Sequence, residues 1–518
     1  MKKFLPVLSV FLFFAAGVFF LSQLDARPGG GSSYSSGSHS SSSHSSGGSH
    51  SYSSSSGGGG GGGDGGALVE IAIWLLLEHP KIGLPLVIVL VIVYFVSKRG
   101  SPSTVITSHA PPPVRREKRI DAAAVLPDFR KKDPNFSRIL FLDFVQALYM
   151  QMQEWRSKKE IAQLSPFIAE GVLTQLQNSE KRPIDVHEIV IGSIDIREIR
   201  QSENSDQIAV DISANYTETF TPEKGEKSSI RFIVVERWLL DRKKGTMSPE
   251  PEKMKKLSCP ACGASLELDE FGKCKYCGTK VEAGTQHWRL AQRSIVSHET
   301  RKSQSIGIYE EERGTDWPTV FSPTLEQEVE TFKQTHQIAD WNSFYKTFSE
   351  NVVSGIFENL YESWASQNWE KARPVMTDRL FQSHNYWINE YRAAGVMNRL
   401  ENRKIQRIEL VKIETDKFYE TVTVRIHASM LDYAVDRSGK IIGGSRTKPR
   451  DFTEYWSFVR SRKAEKKEDQ FNADACPNCG APIKMGMTGV CEYCNSKVSE
   501  GDFNWVLALI IQDEVYGG

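Results

Sequence analysis

No cysteine occurs before position 259, although the chain has 518 residues and holds eight. A secreted disulfide framework spreads its cysteines along the chain, so this distribution argues against one. Net charge is also missing, with 64 Lys and Arg against 64 Asp and Glu. That argues against a protein whose whole surface grips a polyanion, while leaving room for a local basic patch. The short motifs of common chemistries are absent too: no G-x-S-x-G nucleophile elbow, no P-loop, no H-E-x-x-H and no dinucleotide fingerprint. Nor does an acid–base pair fall on an inward strand face. Asp211 and His427 both sit on the polar side of their strands' alternation, and Glu236 and Glu454 read as sheet-edge ion pairs with a nearby arginine. An enzyme is not expected.

What is present divides the chain into three regions. Met1–Lys3 followed by FLPVLSVFLFFAAGVFFL reads as a signal peptide or signal anchor over 1–26. A Gly/Ser/His-rich tract follows over 27–66, where 32 of the 38 residues from 29 to 66 are Gly or Ser. That composition cannot bury enough apolar surface to offset its ordering entropy, so disorder is expected. His39, His44 and His50 are irregularly spaced within it and belong to a flexible tether rather than a metal site. At 67–97 a second apolar stretch, interrupted at Glu78–Lys81, reads as membrane-associated, with a tilted transmembrane helix starting near Ile82. Lys98, Arg99, Arg115, Arg116, Lys118 and Arg119 crowd its C-terminal flank, which places that side in the cytoplasm. The basic, Pro-rich linker over 98–134 can also touch anionic lipid headgroups.

The cysteines organise the remaining four-fifths. Cys259-x-x-Cys262 and Cys274-x-x-Cys277 are followed, 217 positions on, by Cys476-x-x-Cys479 and Cys491-x-x-Cys494. Trp288 and Trp505 keep the same offset. Paired Cys-x-x-Cys knuckles let four thiolates surround one ion, and soft thiolates in a tetrahedron favour Zn²⁺ over hard cations. The two modules therefore read as zinc ribbons over 257–283 and 474–500, binding two structural zinc ions, with an iron site or redox thiols as the alternative. With all four positions filled by protein, neither site has a place to activate water. Neither module carries the dense basic surface of a nucleic-acid reader, so nucleic acid is disfavoured as a partner.

The repeat extends upstream. Glu236-Arg-Trp238 matches Glu454-Tyr-Trp456, Ile208–Tyr216 matches Val422–Met430, and Leu148-Tyr149 matches Leu360-Tyr361. One domain type is used twice. In the first copy Phe141, Phe144, Val145, Leu148 and Met152 recur at helical spacing, and 165–176 reads as a second helix. Alternating segments at 187–200, 206–219 and 228–242 read as strands, with a last strand through Trp288 or Trp505 after each ribbon. The class is α+β: helices packed on one face of a bent antiparallel sheet. The domains run over 135–297 and 326–514, joined by a linker at 298–325.

The strand Glu454-Tyr-Trp456-Ser-Phe458-Val-Arg460, with Trp505–Ile510 after the ribbon, resembles the end of a Tim-forty-four-like (Tim44-like) domain. That family is named for a membrane-tethering subunit of the mitochondrial import motor and has bacterial members with similar leaders. The resemblance implies two nuclear transport factor two-like cone domains, each with an inserted ribbon, at the cytoplasmic side of a bacterial inner membrane. It implies membrane lipids and a protein partner as contacts. The expected function is a membrane-anchored scaffold or adaptor, with lipid or small hydrophobic ligand binding in the cones as the alternative. Trp238, Trp288, Trp456 and Trp505 are either core residues of the curved sheets or the lining of such a pocket.

Overall fold

The computed structural model describes residues 122–517, apart from 159–160, 180–183, 221–226, 302–313, 465–470, 486–488, 514–515 and scattered positions between 255 and 286 around the first cysteine cluster. The expected signal segment (1–26), Gly/Ser tract (27–66), membrane-associated segment (67–97) and most of the basic linker (98–134) lie outside these residues. Among the described residues, no helix is long and apolar enough to cross a membrane.

The architecture is α+β and rests on two antiparallel sheets. In the first half, α1 (Ala122–Lys132), α2 (Arg138–Lys158) and α3 (Glu170–Ser179) precede β1 (Ile184–Gln201), β2 (Ser205–Phe220), β3 (Ser228–Lys243) and β4 (Arg289–Arg301). These strands pair in the order β1-β2-β3-β4. In the second half, α4 (Leu325–His336), α5 (Trp341–Thr347), α6 (Ser354–Ala365) and α7 (Asp378–Ala394) come first. They precede β5 (Met397–Thr415), β6 (Tyr419–Val435), β7 (Ile441–Gly444), β8 (Arg450–Ser461) and β9 (Val506–Gln512). The second sheet runs β5-β6-β8-β9, with the short β7 paired to β6.

Each half is closed by one helical stripe on one strand face. Phe141, Phe144, Val145, Leu148 and Met152 fall three and four apart on α2 and are fully buried. Ile356, Phe357, Leu360 and Tyr361 repeat this on α6. Alternate residues of β2 (Ile208, Val210, Ile212) and of β6 (Val422, Val424, Ile426) complete the two cores.

The bends of the sheets recur as well. β1 shifts register between His187 and Val190, Ile191 and Ser193, and Ile196 and Glu198. β5 does so between Glu401 and Lys404, Ile405 and Arg407, and Leu410 and Lys412, every position 214 residues further on. Glu188 and Asn402, in the first bulge of each strand, both take φ of 53°. Bulges sharpen strand twist, so the two sheets bend at matching points.

The structure departs from the sequence reading at three local points. The stretch read as linker ends in a helix, α1, because Leu126 and Phe129 are buried in the first core. The helix expected over 165–176 begins only at Glu170, since Ile168 is bridged to Leu290 and the Ala169 N–H donates to the Leu290 carbonyl at 2.9 Å. The last strands begin one residue after Trp288 and Trp505.

The halves pack together. Phe418, Tyr419, Val459, Val506 and Ala508 of the second sheet join the apolar cluster of the first half. Arg130 and Arg138 reach Glu414 at 2.7 and 3.6 Å. Burial would raise that carboxyl, but Arg138 and Arg130, helped by Lys412, hold it at about 2. Residues 314–322 cross the outer face of the second sheet. There Arg425 donates to the Trp317 carbonyl at 2.7 Å, the Val320 N–H to the Tyr455 hydroxyl at 2.9 Å, and the Ser322 N–H to the Val411 carbonyl at 2.9 Å.

Candidate metal centres

Each cysteine cluster lies in the chain between the last two strands of its sheet, β3 and β4 or β8 and β9. The knuckles are built by one local turn used four times. The N–H groups of Gly263, Gly278, Gly480 and Asn495 donate to the carbonyls of Cys259, Cys274, Cys476 and Cys491 at 2.8–2.9 Å. All four donors have φ between 56° and 78°. That region disfavours a Cβ, which is why three are glycine and the fourth is asparagine, the side chain that best tolerates it.

The turns bring the sulfurs together. Cys259 Sγ lies 3.9 Å from Cys277 Sγ, and Cys262 Sγ lies 3.9 Å from Cys274 Sγ. The second cluster gives 3.8 Å for Cys476–Cys494 and 4.0 Å for Cys479–Cys491. A tetrahedral zinc about 2.3 Å from each sulfur requires sulfurs about 3.8 Å apart. Both donor sets therefore fit a tetrahedral ion, and either can hold zinc. Burial pushes the Cys259 thiol up to about 11 and Cys476 up to about 12. At the surface, the Thr279 hydroxyl and N–H hold Cys277 at about 6, and the Ser496 N–H and hydroxyl hold Cys494 at about 6. Loading such a site must expel the protons of the buried thiols.

The clusters are anchored differently. At the start of α7, Asp378 receives Lys497 Nζ at 2.7 Å and Ser499 Oγ at 2.8 Å, and it also pairs with Arg373. Gly489 packs so closely on Arg373 that a Cβ there would come within 2.6 Å. In the first cluster the positions of Lys497 and Ser499 are Lys280 and Glu282, which pair with each other at 2.7 Å. That cluster is joined to its surroundings where Lys253 Nζ donates to the Ala261 carbonyl at 2.8 Å and the Lys243 N–H donates to the Gly284 carbonyl at 2.7 Å.

The residue before the last cysteine is a tyrosine in both clusters, and Tyr276 and Tyr493 are 59% and 60% exposed. Neither tyrosine belongs to the metal-ligand pattern that the sequence shows. The available signal was their recurrence at the cysteine offset of 217.

Trp238, Trp288, Trp456 and Trp505 are completely buried. Trp238 and Trp456 donate their indole N–H to Glu236 and Glu454, both at 2.8 Å. Those glutamates are not at a sheet edge. Glu236 is buried on an inner strand and takes two bonds from Arg293 at 2.5 and 2.7 Å, while Glu454 accepts from the Tyr361 hydroxyl at 3.1 Å. Trp288 and Trp505 lie under Arg242 and Arg460, at 4.4 and 4.3 Å. Carboxylates hold both arginines: Asp133 at 2.8 Å and Asp206 at 3.3 Å for Arg242, Glu420 at 3.1 Å for Arg460. A cation over an indole, neutralised by buried carboxylates, thus ties together the two chain legs that enter and leave each cysteine module. Asp211 and His427 lie on outer sheet faces, bound to Arg197 and Arg237 and to Glu409 respectively.

Compared with known proteins, the sequence profile of one family, described as a Tim44-like domain, matches residues 338–470. The match runs from just before α5 through β8 and ends before the second cysteine cluster. No curated protein matches the chain. One solved structure, titled "Ntf2 like protein involved in plasmid conjugation", is similar at 9% identity and a TM-score of 0.17, covering 72% of this chain and 96% of that one. A likeness that low carries no argument about fold or function.

Proposed function

We propose that the chain is a membrane-anchored, non-enzymatic scaffold whose two halves hold a protein partner at the cytoplasmic side of a bacterial inner membrane. In this reading the halves are two copies of one Tim44-like domain, each a nuclear transport factor two-like cone with a zinc ribbon inserted before its last strand. Matching strand order, bulges at a constant offset and the paired Arg–Trp contacts support the duplication. The family match over 338–470 supports the domain type. Charge flanking the apolar stretch at 67–97 supports the membrane topology.

One observation carries the scaffold reading. Each module closes four sulfurs around one point and presents a half-exposed tyrosine beside the last of them. A filled tetrahedron has no position for substrate, so the zinc there holds a shape rather than drives a reaction. Tyrosine offers a large, rigid, amphipathic contact at low entropic cost, the type enriched where one protein grips another. The alternative, a lipid or hydrophobic ligand within the cones, has less behind it. It needs the four tryptophans to line a space, and all four are packed: Trp288 lies 5.4 Å from the Phe141 ring and Trp505 5.3 Å from Phe348.

The test is crosslinking of the full-length protein in its membrane, followed by mass spectrometry. The same is done for a Tyr276→Ala/Tyr493→Ala variant that keeps two zinc ions. A defined protein captured by the first and lost from the second supports the proposal. Recovery of the same background from both sinks it, and lipid retained by the purified domains would turn attention to the cones.

A further inference from the structure

β4 is the edge strand of the first sheet, paired on one side with β3 from Asp241↔Arg289 to Arg231↔Arg301. On its other side, among the described residues, it meets a parallel bridge from Ile168 to Leu290 and no further strand. The matching strand of the second sheet is shorter. β9 ends at Gln512, and the chain turns back so that Asp513 binds Arg425 at 2.7 Å and Tyr516 stacks on Tyr455 at 3.7 Å. β4 runs on instead, and the position matching Asp513 is Val296.

The extended part is unusually open for what it contains. A register shift opposite Val235 and Glu236 places Ile295 and Val296 side by side at the bulge, 53% and 55% exposed. Ser294–Ser297 carries no charge and no proline, the devices by which edge strands normally resist pairing. The bulge lends some twist, but the side chains it turns outward are apolar.

The sequence there also reads nearly the same in both directions: Ser294-Ile-Val-Ser297. Two antiparallel copies related by an axis between Ile295 and Val296 place serine opposite serine and isoleucine opposite valine. Gln292 then meets Glu299 and Arg293 meets His298, and between 290 and 301 no pair of fixed like charges falls opposite another. A twofold contact requires such a self-complementary patch.

We infer that β4 is an interface between two copies of this chain, joined edge to edge about Ile295 and Val296 into one continuous eight-stranded sheet. The dimer does not rest on the partner reading above, and each can fail without the other.

The test uses the full-length protein in detergent, sized by light scattering across a hundredfold concentration range. Amide exchange is read at 292–299 in the same samples. An Ile295→Lys/Val296→Lys variant should weaken the dimer at least tenfold and lose protection at 292–299, while its thermal melt matches the parent's at concentrations where the parent is monomeric and falls below it where the parent is dimeric. Both positions are exposed in the single chain, so the variant's fold is not at risk. A monomer at every concentration overturns the inference. So does a dimer indifferent to the two lysines. Protection of β4 in a monomeric sample overturns it as well, because the edge is then covered by its own chain.

Discussion

The two sheets share their strand order and their bulges, yet their outer faces have opposite fates. Val411, Tyr455, Val459 and Val506 on the second sheet are all buried, under residues 314–322, the C-terminal turn or the first half. The matching positions on the first sheet are Arg197, Arg237, Asp241 and Arg289. Those residues form ion pairs instead, Arg197 and Arg237 with Asp211 and Arg289 with Asp241, all at 2.7 Å. The inner face of each sheet is alike because it must receive one helical stripe. The outer face is free to differ and decides which neighbour the sheet takes.

This contrast can be broken or sharpened in several ways, the largest effect first. Apparent zinc binding to structural thiolate sites reaches roughly 10–16 kcal/mol. Cys274→Ser and Cys491→Ser should each bind one zinc ion in place of two, read as metal content per chain. They should differ in reach: the second module is bonded to Asp378 at the start of α7, so Cys491→Ser should also speed amide exchange in α7. Cys274→Ser should leave exchange in α3 near that of the parent. Equal spread from both variants would remove the distinction between the modules.

Next come exchanges that make one outer face resemble the other. Val459→Asp buries a carboxylate against the first half, an unpaired buried charge that costs on the order of 3–5 kcal/mol by denaturant unfolding. Asp241→Val removes a half-exposed pair and should cost no more than about 1 kcal/mol. If both cost the same, burial of the second sheet's outer face is not what distinguishes the halves.

Acid should act at buried groups in an order set by their shifts. Burial holds His287 and His384 at about 4, below the ordinary 6.5. Their folded forms refuse the proton that the unfolded chain accepts. The stability they confer is therefore complete above pH 6.5 and is lost as pH falls toward 4, about 3 kcal/mol for each. Glu414, held at about 2 against an ordinary 4.5, stabilises above pH 4.5 and loses its share of about 3 kcal/mol as pH falls toward 2. Denaturant midpoints across pH should show a first decline that His287→Gln and His384→Gln flatten, and a second that Glu414→Gln flattens. Because Glu414 bridges the halves through Arg130 and Arg138, the second decline should also be their loss of mutual packing. The smallest effect belongs to Tyr276→Ala and Tyr493→Ala, each within about 0.5 kcal/mol of the parent by thermal melt, since exposed positions contribute little to folding.

Much of the candidate site was legible because its determinants are local. A Cys-x-x-Cys knuckle closes within five residues, and the glycines at its turns announce the backbone it needs. The strands were legible for a similar reason, since Ile208, Val210 and Ile212 alternate as the pleat does. Other features gave no local sign. Glu236 looked like an edge residue because nothing near it in sequence shows Arg293, 57 positions away across β4. α1 looked like linker because its apolar residues have no stripe long enough to stand out, and they are held by a core built from later segments.

By itself, the sequence determined the two four-cysteine modules, the alternating strands around them and the regular offset that pairs one half with the other. These follow from geometry repeating within a few residues. Tertiary structure alone decided which outer face is buried, which module is bonded to a helix, and where Glu414 finds its two arginines, the nearer of them 276 positions away. Those choices depend on contacts between distant segments, where valines and a tyrosine in place of arginines and an aspartate at matching positions change what can pack on the face.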